Sequence, residues 1–222
     1  MCDVIKKCAH CGEEMQIDIS NIHGISLCKD KYYHTHCLNA LAQTKIQNKR
    51  HASYWDIAVE NPHIYENDAI NTIKTKFYRD ELNKHLLKYY DVVSVSQWFW
   101  NVISELGNGN YRKKKCKPVN VELIYHTWVW GQRKLNTIAL NNKKNHKGPE
   151  NDEQRLNYDL SIIVSKIPNY LAYKKKSDAE EAERRKAQEE KVKINYNNVA
   201  KNTGTQTNGL DDISALLDDM FE

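Results

Sequence analysis

Two short knuckles constrain this chain more than any other feature of it. Cys8 and Cys11 are spaced Cys-x2-Cys, His34 and Cys37 are spaced His-x2-Cys, and 22 residues separate the pairs. Zinc takes four nitrogen or sulfur donors at tetrahedral corners, and a two-residue gap lets both donors of one knuckle face one ion. Gly12 follows the first knuckle, where a tight turn calls for positive φ. Ile17–Ile19 and Ile25–Leu27 alternate as short strands around Asn21–Gly24, which predicts one hairpin carrying the chain between the pairs. With all four positions taken by Cys8, Cys11, His34 and Cys37, the zinc is structural.

The plainer alternatives are buried thiols of a cytosolic protein, or a redox pair. A thioredoxin-like Cys-x-x-Cys belongs beside a β-α-β pattern, and none follows here. His10, His23, Cys28 and His36 lie close enough in sequence to replace one of the four, although Cys28 falls on a predicted strand and reads as a small buried residue. Met1–Lys7 lacks an apolar signal region and no later stretch has the length of a membrane span. Metal-type cysteine spacing without a secretion signal points to a reducing cytoplasm.

With its Lys31-Tyr32-Tyr33-His34 and Cys37-Leu38 second half, the pattern resembles the first zinc module of a LIM domain; the second module is absent. It also resembles the N-terminal fingers of phage proteins from low-GC Gram-positive bacteria. In those, a helical region carries a turn like Leu106-Gly107-Asn108-Gly109-Asn110 and a late segment like Leu156-Asn157-Tyr158-Asp159-Leu160-Ser161-Ile162-Ile163. This resemblance spans Cys8 to about Tyr173. It implies a phage origin, hence the cytoplasm of an infected bacterium, and a fold; it carries no activity.

The rest of the chain reads as helical. Four prolines and eight glycines in 222 residues disfavour a many-turned β fold. A helix should grow out of Cys37 towards Arg50, and residues 51–63 read as a connector. From Asp68, Ile70, Ile73, Phe77, Leu82, His85, Leu86 and Tyr89 recur at helical steps. A second helix is predicted from Ser94, with Gln97 completing a capping box and Gly107 as its stop. Trp98, Phe99, Val102, Ile103 and Leu106 form its buried side. A third follows Pro118 through Val121, Ile124, Trp128, Gly131, Leu135 and Ile138. A fourth carries Leu156, Leu160, Ile163, Val164, Ile167 and Leu171, with Pro168 kinking or ending it. The predicted fold is mainly α: a zinc finger (1–50), a helical domain (64–173), a charged helix (174–194) opened by a capping box at Ser177, a flexible linker (195–209) and an acidic amphipathic tail (210–222).

Charge is unevenly placed. Residues 203–222 hold five acidic side chains and no Lys or Arg, so the rest of the chain carries +9 against +4 overall. Arg112, Lys113, Lys114, Lys115 and Lys117 form a basic loop, with Arg133, Lys134, Lys143–Lys144, His146–Lys147 and Lys174–Lys176 at helix ends. Such clusters neutralise phosphates and bind DNA or RNA without sequence preference; the bland alternative is a solvated lysine-rich surface. Trp100 and Trp130 fall off the core stripes and are candidates for base stacking. Leu210, Ile213, Leu217, Met220 and Phe221 give the tail an apolar face suited to a partner's groove. The tail resembles the acidic tails of phage single-stranded DNA-binding proteins and clamp-binding peptides, which implies a replication or transcription partner.

The sequence has no phosphate-cradling glycine loop, no Gly-x-Ser-x-Gly and no His-Glu-x-x-His. The reading is a non-enzymatic nucleic-acid-binding accessory protein. Its rival is an adaptor that binds a host machine such as RNA polymerase. A weaker third is a ribonuclease, since Arg79 and His85 resemble the Arg-x5-His spacing of HEPN enzymes; His85 reads as a core residue.

Overall fold

A computed structural model describes residues 3–48, 53–146 and 148–203. The chain runs β1 (Asp3–Lys7), β2 (Glu14–Asp18), β3 (Ile25–Cys28), β4 (Lys31–His34), α1 (Thr35–Gln47), α2 (Ser53–Glu60), α3 (Pro62–Tyr90), α4 (Gln97–Gly107), β5 (Asn110–Tyr111), β6 (Lys114–Lys115), α5 (Val121–Lys144) and α6 (Asp152–Thr203). The fold is mainly helical with a small N-terminal β region, as the periodicity predicts. Among the described residues no helix is long and apolar enough to cross a membrane.

The N-terminal strands correct one expectation. No hairpin joins Ile17–Ile19 to Ile25–Leu27. Instead β2 pairs antiparallel with β1, Val4 opposite Ile17, and β3 pairs with β4, Ile25 opposite His34. Met15 and Ile17 alternate inward along β2, as a half-buried strand requires, but β1 and β3 lie equally near it in sequence, across residues 8–13 and 19–24, so loop length does not choose between them. The β3–β4 turn has two residues, Lys29 and Asp30, both at positive φ, which matches a tight hairpin turn to the strand twist.

Helix boundaries follow local chemistry. The residues expected as a connector are helical: α2 occupies Ser53–Glu60, and Pro62 sits at the start of α3, where its missing N–H costs nothing. α4 is capped by Ser96, not Ser94; the Ser96 Oγ accepts from Phe99 N at 3.4 Å, and Gln97 is already helical. Asn120 caps α5, its Oδ1 accepting from Leu123 N at 2.8 Å.

Two apolar cores share α3. Its first half places Ala69 and Ile73 against Ile17, Ile25, Tyr33 and Leu38 of the N-terminal module. Its second half places Leu82, Leu86 and Tyr90 against Phe99, Trp128, Leu135 and Ile163. Within the second core, Tyr90 donates to Asp159 Oδ2 at 2.7 Å, and Arg155 Nε lies 3.7 Å from the same oxygen.

α6 continues through Pro168 and past Ser177, so neither starts nor ends a helix; a cap signal has no effect where the preceding turn is already wound. The compact N-terminal unit nevertheless ends at Ile167. From Pro168 to Val192 the helix is exposed nearly all round, Leu171 included, at 47%. Two i,i+4 ion pairs lie along this stretch, Glu181 with Arg185 at 2.6 Å and Lys176 with Glu180 at 3.7 Å. The expected linker is helical as far as Thr203.

Candidate metal centre and basic hairpin

The first knuckle is a backbone loop. Cys8 N–H donates to Glu13 O at 2.9 Å and Gly12 N–H to Cys8 O at 3.0 Å. Gly12 takes φ +79°, as a tight knuckle requires. Ala9 N–H donates to Tyr32 O at 2.8 Å, which ties this loop to β4. The second knuckle lies where β4 becomes α1: His34 is the residue before the helix and Cys37 is in its first turn. A polar chain fixes that junction, since Thr35 Oγ1 donates to Glu66 Oε1 at 2.8 Å and lies 3.1 Å from the buried Ser26 Oγ.

These constraints bring Cys8, Cys11, His34 and Cys37 together, with one donor atom of each within 4.8 Å of every other. His34 Nδ1 lies 3.5 Å from Cys11 Sγ and 3.8 Å from Cys37 Sγ. Donors bound to one tetrahedral metal at about 2.3 Å stand somewhat under 4 Å apart, so this set could hold an ion. His10, His23, His36 and Cys28 are not in the group. His36 stacks on the His34 ring at 5.1 Å, and Cys28 is buried in the module's core.

The thiols are electrostatically unequal. Burial pushes Cys8 up, but hydrogen bonds from the backbone at Cys11, His34 and His10 outweigh it and bring it down to about 6. Burial, with Cys11 and Cys8 alongside, pushes Cys37 up to about 12. Cys8 thus ionises more readily than Cys37, whose thiolate would need a bound cation to stabilise it.

The expected basic loop is a hairpin. β5 and β6 pair Tyr111 with Lys114, and Arg112 and Lys113 form the turn at φ +48° and +67°. Such turns favour Asn-Gly, and a left-handed residue with a Cβ costs about 1–2 kcal/mol. Here two long cations occupy both positions. The base is fixed: Cys116 N–H donates to Gly109 O at 2.9 Å and Val119 N–H to Leu106 O at 3.0 Å. Arg112, Lys113, Lys114, Lys115 and Lys117 are all exposed. Among the described residues none of the five forms an ion pair, and Arg112 lies over its neighbour Tyr111. Arg133 and Lys134 are exposed in the middle of α5, not at a helix end.

The family model described as SPbeta prophage protein YorH matches residues 8–215. The chain belongs to that family. No curated protein and no solved structure matches it. The YorH match begins on the first metal-type donor, Cys8, and includes the basic hairpin.

In this YorH-family chain the tryptophans exchange roles. Trp100 is buried and Trp98 is 49% exposed, the reverse of the expectation. Both flank the Phe99–Ile103–Leu106 stripe, and the neighbouring element decides between them: Arg79 of α3 covers Trp100, its Cζ 4.8 Å from the ring centroid. Trp128 is fully buried as expected, and Trp130 is 39% exposed. Arg79 and His85 have separate surroundings. The His85 ring stacks on Tyr89 and meets Tyr125 edge-on, and burial lowers its pKa. The tail residues Leu210, Ile213, Leu217, Met220 and Phe221, and Lys147, lie outside the described residues.

Proposed function

We propose that this prophage protein binds nucleic acid through its β5–β6 hairpin, on a scaffold fixed by a structural zinc ion. The observation that carries the reading is the hairpin with its base: five exposed cations without carboxylate partners among the described residues, two of them, Arg112 and Lys113, at turn positions whose backbone cost is not offset by Asn or Gly. An exposed lysine-rich surface needs no fixed geometry, whereas a phosphate contact does. Cys8, Cys11, His34 and Cys37 would hold the zinc. Three sulfurs and one imidazole suit that ion, and four protein donors leave no position for a reacting water. That ion would hold the fold and take no part in a reaction, and the role proposed for the chain is one of binding. The acidic segment 210–222 would compete with nucleic acid for the hairpin and dock a replication or transcription partner.

Fluorescence anisotropy of labelled single-stranded DNA, duplex DNA and RNA across a salt series tests this reading on the full-length chain. A variant carrying Asp211→Asn, Asp212→Asn, Asp218→Asn and Asp219→Asn is run alongside. Salt-sensitive binding that tightens in the variant is expected. No binding by either form at low salt would overturn the nucleic-acid reading and favour the adaptor.

A further inference from the structure

Beside the hairpin base lies a cavity of about 580 Å³, within the range of small-ligand clefts. Arg79 and Trp100 form one wall, Ile103 and Val119 supply apolar surface, and Asn108 and Asn120 supply amides. No acidic side chain lines it. The Arg79 guanidinium lies over the Trp100 ring and has no carboxylate partner among the described residues. The cavity is contiguous with the hairpin, since the lining residues Asn108 and Pro118 bracket residues 109–117.

We propose that this cavity takes one unpaired base of a single-stranded nucleic acid, stacked on Arg79, while the hairpin holds the flanking phosphates. The inference rests on the nucleic-acid reading above and sharpens it from any polyanion to a single strand. Three features select that occupant. Guanidinium planes serve as stacking surfaces for splayed-out bases, and backing by Trp100 keeps this one in place. The apolar walls match a base face, and the amides match its edge. A duplex keeps its bases paired and stacked, so it can reach the hairpin cations but cannot fill the cavity.

The test uses the full-length chain and one labelled oligonucleotide, single-stranded or annealed to its complement. Gly107 lines the cavity with helical backbone, and a Cβ there has its nearest neighbour, Val119 O, 4.0 Å away, so Gly107→Leu fills the space without a clash at the backbone. Arg79→Lys keeps the charge and removes the plane; Arg79 is exposed, so this variant retains the fold even where the other does not. The wild-type chain should prefer the single strand, and each variant should lose about tenfold in single-strand affinity, the size of one stacking contact, with duplex affinity unchanged. Equal affinity for both forms, or a preference that neither variant moves, would overturn the cavity while leaving the hairpin reading intact. No binding of either form by the wild-type chain would overturn both.

Discussion

At the scale of single residues, the donors were the most legible part of the chain. Cysteine and histidine two residues apart have few other uses, and the structure gathers the same four side chains that spacing selects. The Tyr90–Asp159–Arg155 group was not legible, because nothing local marks Asp159 as buried. It is 2% exposed, and burial raises its pKa, opposed by the Tyr90 hydrogen bond and the Arg155 charge. A carboxyl raised in this way favours the fold in its protonated form, and that contribution is lost as pH rises through the folded pKa. Tyr90→Phe removes a donor from the ionised form. It should cost about 1–3 kcal/mol at neutral pH, with a deficit relative to wild type that shrinks as pH falls into the carboxylate range. Urea midpoints of both proteins, compared at each pH, check this; a deficit independent of pH would assign the loss to packing alone.

At the scale of elements, helices were legible and their partners were not. The stripes of α3, α4 and α5 follow from sequence periodicity, whereas the pairing of β1 with β2 does not, because β1 and β3 stand at equal sequence distance from β2. The exchange of Trp98 and Trp100 has the same origin: periodicity locates a stripe, but α3 decides which flank it covers. The hairpin was visible only as charge, because Arg112 and Lys113 are poor turn formers and Gly109 gives the sole backbone cue. Gly109 has φ +73°, and a Cβ there would stand 3.0 Å from Cys116 O and 3.3 Å from Pro118 Cγ. Gly109→Ala should therefore cost at least about 1–2 kcal/mol and loosen the hairpin from α4. Faster tryptic cleavage within residues 112–117, together with a lower urea midpoint, is the expected outcome; unchanged cleavage would mean that the base is not what holds the hairpin.

At the scale of the whole molecule, α3 joins the N-terminal module, which carries the candidate metal centre, to a second core, which does not. Ile73 belongs to the first and Leu82 to the second, with Tyr78 packed against both. Structural zinc contributes its binding free energy to folding, so a chelator should release β1–β4 and α1 while the second core persists. Hydrogen exchange should accelerate in residues 3–47 and change little in α4 and α5; uniform acceleration would make the two cores one cooperative unit. The membership of the chain in a prophage family accords with the resemblance carried by its finger and its helical segments, and the contact with nucleic acid is the claim that gives those parts a common purpose. Its most direct test is the slope of log affinity against log salt for single-stranded DNA, in wild type and in a Lys113→Gln, Lys114→Gln, Lys115→Gln variant. Each phosphate contact contributes about 0.7 to that slope, so the variant should lose about 2 in magnitude. An identical slope in both proteins would contradict the assignment of the hairpin as the nucleic-acid interface.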